Sequence, residues 1–340
     1  MSRARVRWLD RAPSDWPALL ASDPGASPAH QPGVWHALAD HAPGFELALA
    51  VVEEPEGTIG GAPALIERRG GLRWFHALPR LLPGAPLARP GRHAEVDERI
   101  AHAFAARARE LRVVGGEWAC YRPCGEAPSA DALAILPGET RRFRAALVDL
   151  RGGLDAALAR LDRKVRQSLQ HARSRRLDFG EDPAALEPGY ALHVAQSRAW
   201  SGHRPLPLEL ARRLLAPGAG GRLFALRDAG GVVSAALALD GPHETFVWWS
   251  GTHAEGRRRG AGPLLLWRIV EWAAAAGRVR VNLGASTGLE GVAAFKHGLG
   301  ADAFEYPVRW LDARHASLLG RAVALAQARL RRDRARGEAA

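Results

Sequence analysis

Arg257-Arg258-Arg259-Gly260-Ala261-Gly262-Pro263 is the stretch that decides how the rest of this chain is read. It follows Glu244–Ser250, which reads as a strand, and precedes Pro263–Ala276, which has the spacing of a helix. Glycines let the chain turn tightly and bring backbone N–H groups close to an anion. The helix behind adds unpaired N–H groups and the positive end of its dipole. Pro263 suits the first helical position, where its missing N–H is not needed. As six residues alone, R-x-x-G-x-G is equally an arginine-rich turn capping a helix. Between a strand and a helix it predicts a pyrophosphate cradle. Working outward, Arg222–Arg227 and Val232–Asp240 read as strands around a turn at Asp228–Gly231. Arg278–Leu283 is a further strand, Leu289–Leu299 a short helix and Phe304–Leu311 a last strand. This order predicts an α/β (α+β) domain with helices on a mixed sheet.

Upstream, a boundary is expected near Arg151–Gly153. After it, Leu154, Ala157, Leu158, Leu161, Val165, Leu169 and Ala172 recur at spacings of three or four, predicting one amphipathic helix over Leu154–Arg176. Its other face carries Arg160, Arg163, Lys164, Arg166, Arg173 and Arg175. Further helices are expected over Pro188–Trp200 and Pro207–Leu215. In the first half, Phe45–Glu53, Thr58–Arg68 and Leu72–Leu78 read as strands, Pro79–Gly91 as a loop, Ala94–Leu111 as a helix, Arg112–Tyr121 as a strand and Arg122–Glu139 as a loop. The division is a first domain over 1–150, a second over 151–312, and a basic amphipathic C-terminal helix over 313–340.

The chain has 340 residues and a formal net charge of +11. Residues 1–150 hold 18 basic and 18 acidic side chains, whereas 151–340 hold 29 and 18, so the second half carries the whole excess. Within it, Asp155–Arg176 sums to +5, Arg257–Arg259 to +3 and Ala313–Ala340 to +5. Such local fields favour anionic partners. A phosphate-bearing coenzyme is therefore expected before bulk nucleic acid, and DNA is not expected. The two cysteines, Cys120 and Cys124, lack metal-site spacing and predict a reducing, cytoplasmic setting. The most apolar stretch, Pro263–Ala276, is broken by Arg268 and Glu271 and falls short of a membrane span. No apolar run follows Arg3, Arg5 and Arg7, so no secretory signal is expected. None of the 13 histidines forms a ligand pair, so no metal is expected. Of 47 basic residues only Lys164 and Lys296 are lysine. Sites that keep lysine against such a bias are candidates for needing an ammonium group.

The stretch Arg222–Leu311 resembles the GNAT acyltransferase core, whose R/Q-x-x-G-x-G/A loop holds the pyrophosphate of acyl-coenzyme A. Two further segments resemble its tandem-domain, Fem-like (FemAB-type) branch. One is Leu147–Leu150 leading into Leu161-Asp162-Arg163-Lys164-Val165-Arg166-Gln167-Ser168-Leu169. The other is Phe295-Lys296-His297-Gly298-Leu299-Gly300-Ala301. The resemblance implies two tandem GNAT-like domains, each a mixed, mostly antiparallel sheet with helices on both faces, the first a degenerate lobe. Three departures stand out. Phe295 occupies the place where many GNAT enzymes carry an acidic tyrosine. Asn282 replaces the aspartate of the Fem-type strand end. The phosphate loop is intact where aminoacyl-tRNA-using relatives often lack one.

The resemblance implies an N-acyltransferase in which an amine attacks the thioester of acetyl-CoA or another acyl-CoA. Arg257, Arg258, Arg259, Gly260, Ala261 and Gly262 would hold the coenzyme, with backbone groups near Trp249 and Ser250 completing its site. Lys296 would stabilise an oxyanion or substrate phosphate, an ammonium being the right chemical type for developing negative charge. Asn282 would bind the coenzyme's arm or the incoming acyl group. A base is needed to free the amine, and Glu244, His253 and Glu255 are candidates. Lys164, Arg166 and Trp200 would meet a small-molecule or cell-envelope-precursor acceptor; their competing readings are a solvated basic face and core packing. Two alternatives stay open. One is an aminoacyl-tRNA-dependent aminoacyltransferase acting on a peptidoglycan-type precursor. The other is a non-catalytic module binding RNA or, through the C-terminal helix, an anionic membrane surface.

Overall fold

Two parallel strand pairs organise the molecule, and each is bridged by a helix because a parallel pair needs a crossover of about a dozen residues or more. The structure, a computed structural model, describes residues 4–41, 44–77, 82, 84–124, 128, 130–174, 177–198, 205–286 and 289–312. In chain order its strands are β1 (Arg5–Leu9), β2 (Phe45–Glu54), β3 (Gly57–Arg69), β4 (Leu72–Ala77), β5 (Leu87–Ala88), β6 (Gly115–Ala119), β7 (Glu139–Asp149), β8 (Asp178–Glu181), β9 (Gly221–Asp228), β10 (Gly231–Asp240), β11 (Glu244–Thr252), β12 (Arg280–Asn282) and β13 (Asp302–Asp312). Its α-helices are α1 (Trp16–Ser22), α2 (Pro32–His41), α3 (His93–Glu110), α4 (Ala130–Ile135), α5 (Gly153–Ala159), α6 (Arg163–Arg173), α7 (Leu186–Ser197), α8 (Leu208–Leu214), α9 (Ala254–Arg258), α10 (Ala261–Ala275) and α11 (Glu290–Gly298). Trp200, Arg175 and the expected C-terminal helix lie outside the described residues.

By contact the chain divides into two units. Among the described residues the first holds 4–23, 44–142 and 307–312, and the second holds 24–41 and 143–306. This division differs from the boundary expected near Arg151–Gly153. By contact, β7 from residue 143 onward counts with the second unit because Leu147, Val148 and Asp149 pair with Asn282, Val281 and Arg280. The segment carrying α2 joins that unit because its backbone approaches Gly218 so closely that a Cβ on Gly33 would stand 2.2 Å from the Gly218 carbonyl oxygen.

In the first unit the strand order is β1-β2-β3-β4-β6-β13, with β5 beside β3, and only β4 and β6 run parallel. Helix α3 crosses between them. It buries Val96, Ile100, Phe104 and Ala108 at a spacing of four, on one face. Phe104 stacks on Phe75 at 4.5 Å, in a core with Ile66 and Trp118. Burying such a side chain stabilises by about 2–3 kcal/mol.

The second unit repeats the plan. Its order is β7-β12-β11-β10-β9-β8, with β11 and β12 the parallel pair. Helix α10 makes the crossover and buries Leu264, Leu265, Leu266, Trp267, Ile269, Val270 and Ala273. A helix apolar on most of its circumference belongs in a core, and α10 packs with Phe224, Leu226, Ala236, Val247 and Val281.

One expected element is two. The helix predicted over Leu154–Arg176 breaks into α5 and α6. Asp162 takes an extended conformation, φ −58° and ψ 147°. Its N–H donates to the Gly298 carbonyl at 3.0 Å rather than continuing the helix. The apolar spacing survives because Ala157, Leu161, Leu169 and Ala172 all still face the core, but Leu158, part of the expected stripe, is exposed. No helix among the described residues is long and apolar enough to cross a membrane.

Candidate active site

A fork in the second unit's sheet opens the site. β11 pairs with β12 only through Glu244↔Arg280, Thr245↔Val281 and Phe246↔Asn282. Beyond Asn282 the chain stays with β7, Leu283 N–H donating to Ala146 O at 2.8 Å. β11 stays with β10, but Leu237 faces Trp249 while Ala238 faces Val247. Trp248 is therefore the extra residue of a β-bulge, a feature that bends and twists a strand. The two parallel strands diverge from this point.

The expected cradle sits at the far end of β11. Gly260 has φ +74°, a left-handed conformation that an L side chain rarely adopts, and caps the 15-residue α10. A Cβ there would also stand 2.6 Å from Ser168 Oγ on α6. A Cβ on Gly262 would stand 3.2 Å from Thr252 Oγ1, so strand end and helix start adjoin. Ala261 is the first, fully buried residue of α10. The three arginines are differently engaged than expected. Arg257 Nη1 donates to Thr252 O at 3.0 Å, Arg258 pairs with Glu255 at 2.8 Å, and Arg259 pairs with Asp228 at 2.7 Å. As placed, all three side chains are engaged within the chain, and the backbone N–H groups of the turn and helix start are the ones that could hold an anion.

Lys296 lies at the fork. It is 8% exposed, and its ammonium donates to Gly284 O at 3.0 Å and Ala285 O at 2.7 Å. From where a Cβ on Gly284 would stand, Lys296 Nζ is 4.0 Å away and Val247 O 3.7 Å. Burial pulls its pKa down to about 8. Lysine supplies three donors, so two carbonyls leave one N–H in hand.

Glu244 and Asn282 are also at the fork, but face inward. Glu244 and Asn282 are both fully buried. Arg280 Nε donates to Glu244 Oε2 at 2.5 Å, and Asn282 Nδ2 donates to Oε1 at 3.2 Å. Asn282 Oδ1 in turn accepts from Gly284 N–H at 2.8 Å, an Asx-type turn. Arg280 continues to the carbonyls of Pro24 and Ala26, each at 3.0 Å. A carboxylate held at both oxygens and sealed from solvent does not fit the base expected of Glu244. Likewise Asn282 shapes the turn that carries Lys296's partner Gly284, rather than presenting its amide to a ligand. His253 is exposed and caps α9, its Nδ1 accepting from Glu255 N–H at 3.3 Å.

Of the acceptor candidates, Lys164 is exposed on α6. Arg166 bends back, its Nη2 3.3 Å from both Leu158 O and Ala159 O, where it satisfies the open carbonyls at the end of α5.

The helix expected over Pro188–Trp200 is α7, Leu186–Ser197, but its place beside β11 was not expected from the sequence. It packs so closely on β11 that a Cβ on Gly251 would lie 2.3 Å from the backbone nitrogen of His193. His193 is buried, stacks on Trp249 at 5.2 Å and donates from Nδ1 to Ser250 O at 3.1 Å. Gln196 Oε1 accepts from Thr252 N–H at 3.1 Å. Among the described residues, the indole N–H of buried Trp249 has no hydrogen-bond partner. The small Gly189 and Gly251 were the available sequence signal for a close helix–strand approach. No group of three or more metal-ligating side chains occurs among the described residues.

Comparison with known proteins agrees with this architecture. Residues 156–297 match the family model described as Acetyltransferase (GNAT) domain. No curated protein sequence matches the chain. Among solved structures, FemX superposes with a TM-score of 0.68 at 11% identity, covering 88% of this chain and 96% of its own. A tandem GNAT protein from the clavulanic acid biosynthesis pathway gives 0.50 at 16% identity, over 90% and 98%. L-PGS from Bacillus licheniformis gives 0.51 at 12% identity, over 94% and 98%. The fold is that of tandem GNAT proteins. The second unit carries a GNAT acyltransferase domain, so the chain is an acyltransferase, and the purely non-catalytic reading is set aside.

Proposed function

We propose that the chain is an acyl-coenzyme A-dependent N-acyltransferase whose acceptor is an amine-bearing small molecule or cell-envelope precursor. One observation carries this reading: left-handed Gly260 starts α10 directly where β11 ends, beyond the fork. Pyrophosphate oxygens would meet the N–H groups of that helix start. The acyl thioester would lie toward the fork, where Lys296 holds its charge. A neutral amine attacks the thioester carbonyl; the C–N bond forms, the C–S bond breaks, and the thiolate leaves with the proton the amine gives up. Lys296 is the group best suited to stabilise the oxyanion between those steps. Calorimetric titration with acetyl-CoA tests this. Wild type should bind, and Gly260→Ala should weaken binding by at least about tenfold, the equivalent of roughly 1.4 kcal/mol. Absence of binding by wild type overturns the reading.

A second reading, transfer from aminoacyl-tRNA, is favoured by the exposed Arg163 and Lys164 on α6, which have no acidic partner among the described residues. Salt-sensitive tRNA binding by a protein that ignores acetyl-CoA would select it.

A further inference from the structure

The edge of β11 inside the fork is closed, and not by a strand. Beyond Phe246, no strand among the described residues pairs with β11 on the β12 side. Backbone groups of residues two apart on a strand point the same way, so Ser250 and Thr252 share one edge. All three of their mapped groups there are occupied by side chains. Thr252 N–H donates to Gln196 Oε1, Thr252 O accepts from Arg257 Nη1, and Ser250 O accepts from His193 Nδ1.

An open strand edge is a template for an extended ligand with amides of its own. The arm of coenzyme A is such a ligand, with two amides between its pyrophosphate and its sulfur. The cradle at Gly260–Gly262 adjoins Thr252. An arm anchored there meets Thr252 first and Ser250 next on its way to Phe246 and Asn282. The two α7 side chains differ in how firmly they are held. His193 is buried and stacked on Trp249, whereas Gln196 is half-buried in the last turn of its helix.

We propose that Gln196 competes with the donor arm: its carboxamide oxygen holds the Thr252 N–H that an amide carbonyl of the arm takes, and the donor binds by replacing it. The inference rests on the acyl-CoA reading above and adds a residue to it. The displaced contact is a neutral hydrogen bond, whose net worth corresponds to a factor of about 3–10. His193 keeps Ser250 O throughout, so the exchange is confined to one bond.

The test is calorimetric titration of wild type and Gln196→Ala with acetyl-CoA and with the nucleotide half of coenzyme A, which lacks the arm. Gln196→Ala is expected to bind acetyl-CoA about 3–10-fold tighter and the nucleotide half equally well. Unchanged or weaker binding of acetyl-CoA by the variant, with wild type binding normally, overturns the inference and leaves the function standing. An equal gain for both ligands also overturns it, because the arm is then not what Gln196 opposes. Absence of acetyl-CoA binding by both proteins overturns the functional reading and this inference together.

Discussion

Lys296 illustrates what a single residue contributes at the fork. Its burial disfavours the charged form, while two backbone carbonyls accept from that form. The folded pKa, about 8, lies below the ordinary 10.5. Between those values the unfolded chain binds more protons than the folded one, so stability rises with pH there. The penalty for burying the charge is full below about 8 and is relieved as pH rises toward 10.5. Catalysis should run the opposite way. If the ammonium stabilises the oxyanion, kcat falls as pH climbs through about 8, and a pH–rate profile checks this. Lys296→Met should lower kcat by about 10²-fold with little change in acetyl-CoA affinity, measured by steady-state kinetics beside titration. Near-normal kcat removes Lys296 from the mechanism.

At the scale of elements, the decisive contact is α7 against β10 and β11. Two glycines permit it: a Cβ on Gly189 would stand 2.5 Å from Ala235 Cβ, and one on Gly251 would stand 2.3 Å from His193 N. The second collision is with backbone, which cannot rotate away. Gly251→Ala should therefore destabilise by about 1–3 kcal/mol, seen as a lowered urea midpoint, and should disturb the His193 and Gln196 contacts together. The break between α5 and α6 is a second case of an element set by its neighbours. The periodicity of Ala157, Leu161, Leu169 and Ala172 is compatible with one helix or two. The Gly298 carbonyl meeting Asp162 N–H, and Arg166 capping α5, decide for two.

At the scale of the molecule, Arg280 ties β12 to the early segment of the chain that belongs to the same unit. It bonds the carbonyls of Pro24 and Ala26, 256 and 254 residues away, and neutralises the buried Glu244. Removing one partner of a buried ion pair leaves the other uncompensated, at a cost of about 3–5 kcal/mol. Arg280→Ala should lower the denaturant midpoint accordingly. Loss below about 1 kcal/mol would mean that Glu244 finds solvent or another partner.

Much of this was legible without coordinates. Alternation and threefold or fourfold spacing located most strands and helices, because those signals arise between residues close in the chain. The turn before α10 was readable for the same reason: Gly260 acts through local backbone conformation. Lys296 stood out as one of two lysines. What sequence spacing could not carry were pairings between distant residues. Glu244 looked like a base until Arg280 and Asn282 were found against it. The arginines of 257–259 looked free until Asp228, Glu255 and Thr252 O met two of them through carboxylates and one through a carbonyl. His193 and Gln196 drew no notice, since only tertiary packing brings α7 to the edge of β11. Local sequence thus determined which elements form and where a glycine turn separates strand from helix. The tertiary structure alone decided which polar side chains are used up in holding the fold and which remain for chemistry, because that depends on partners that only folding brings within hydrogen-bond distance.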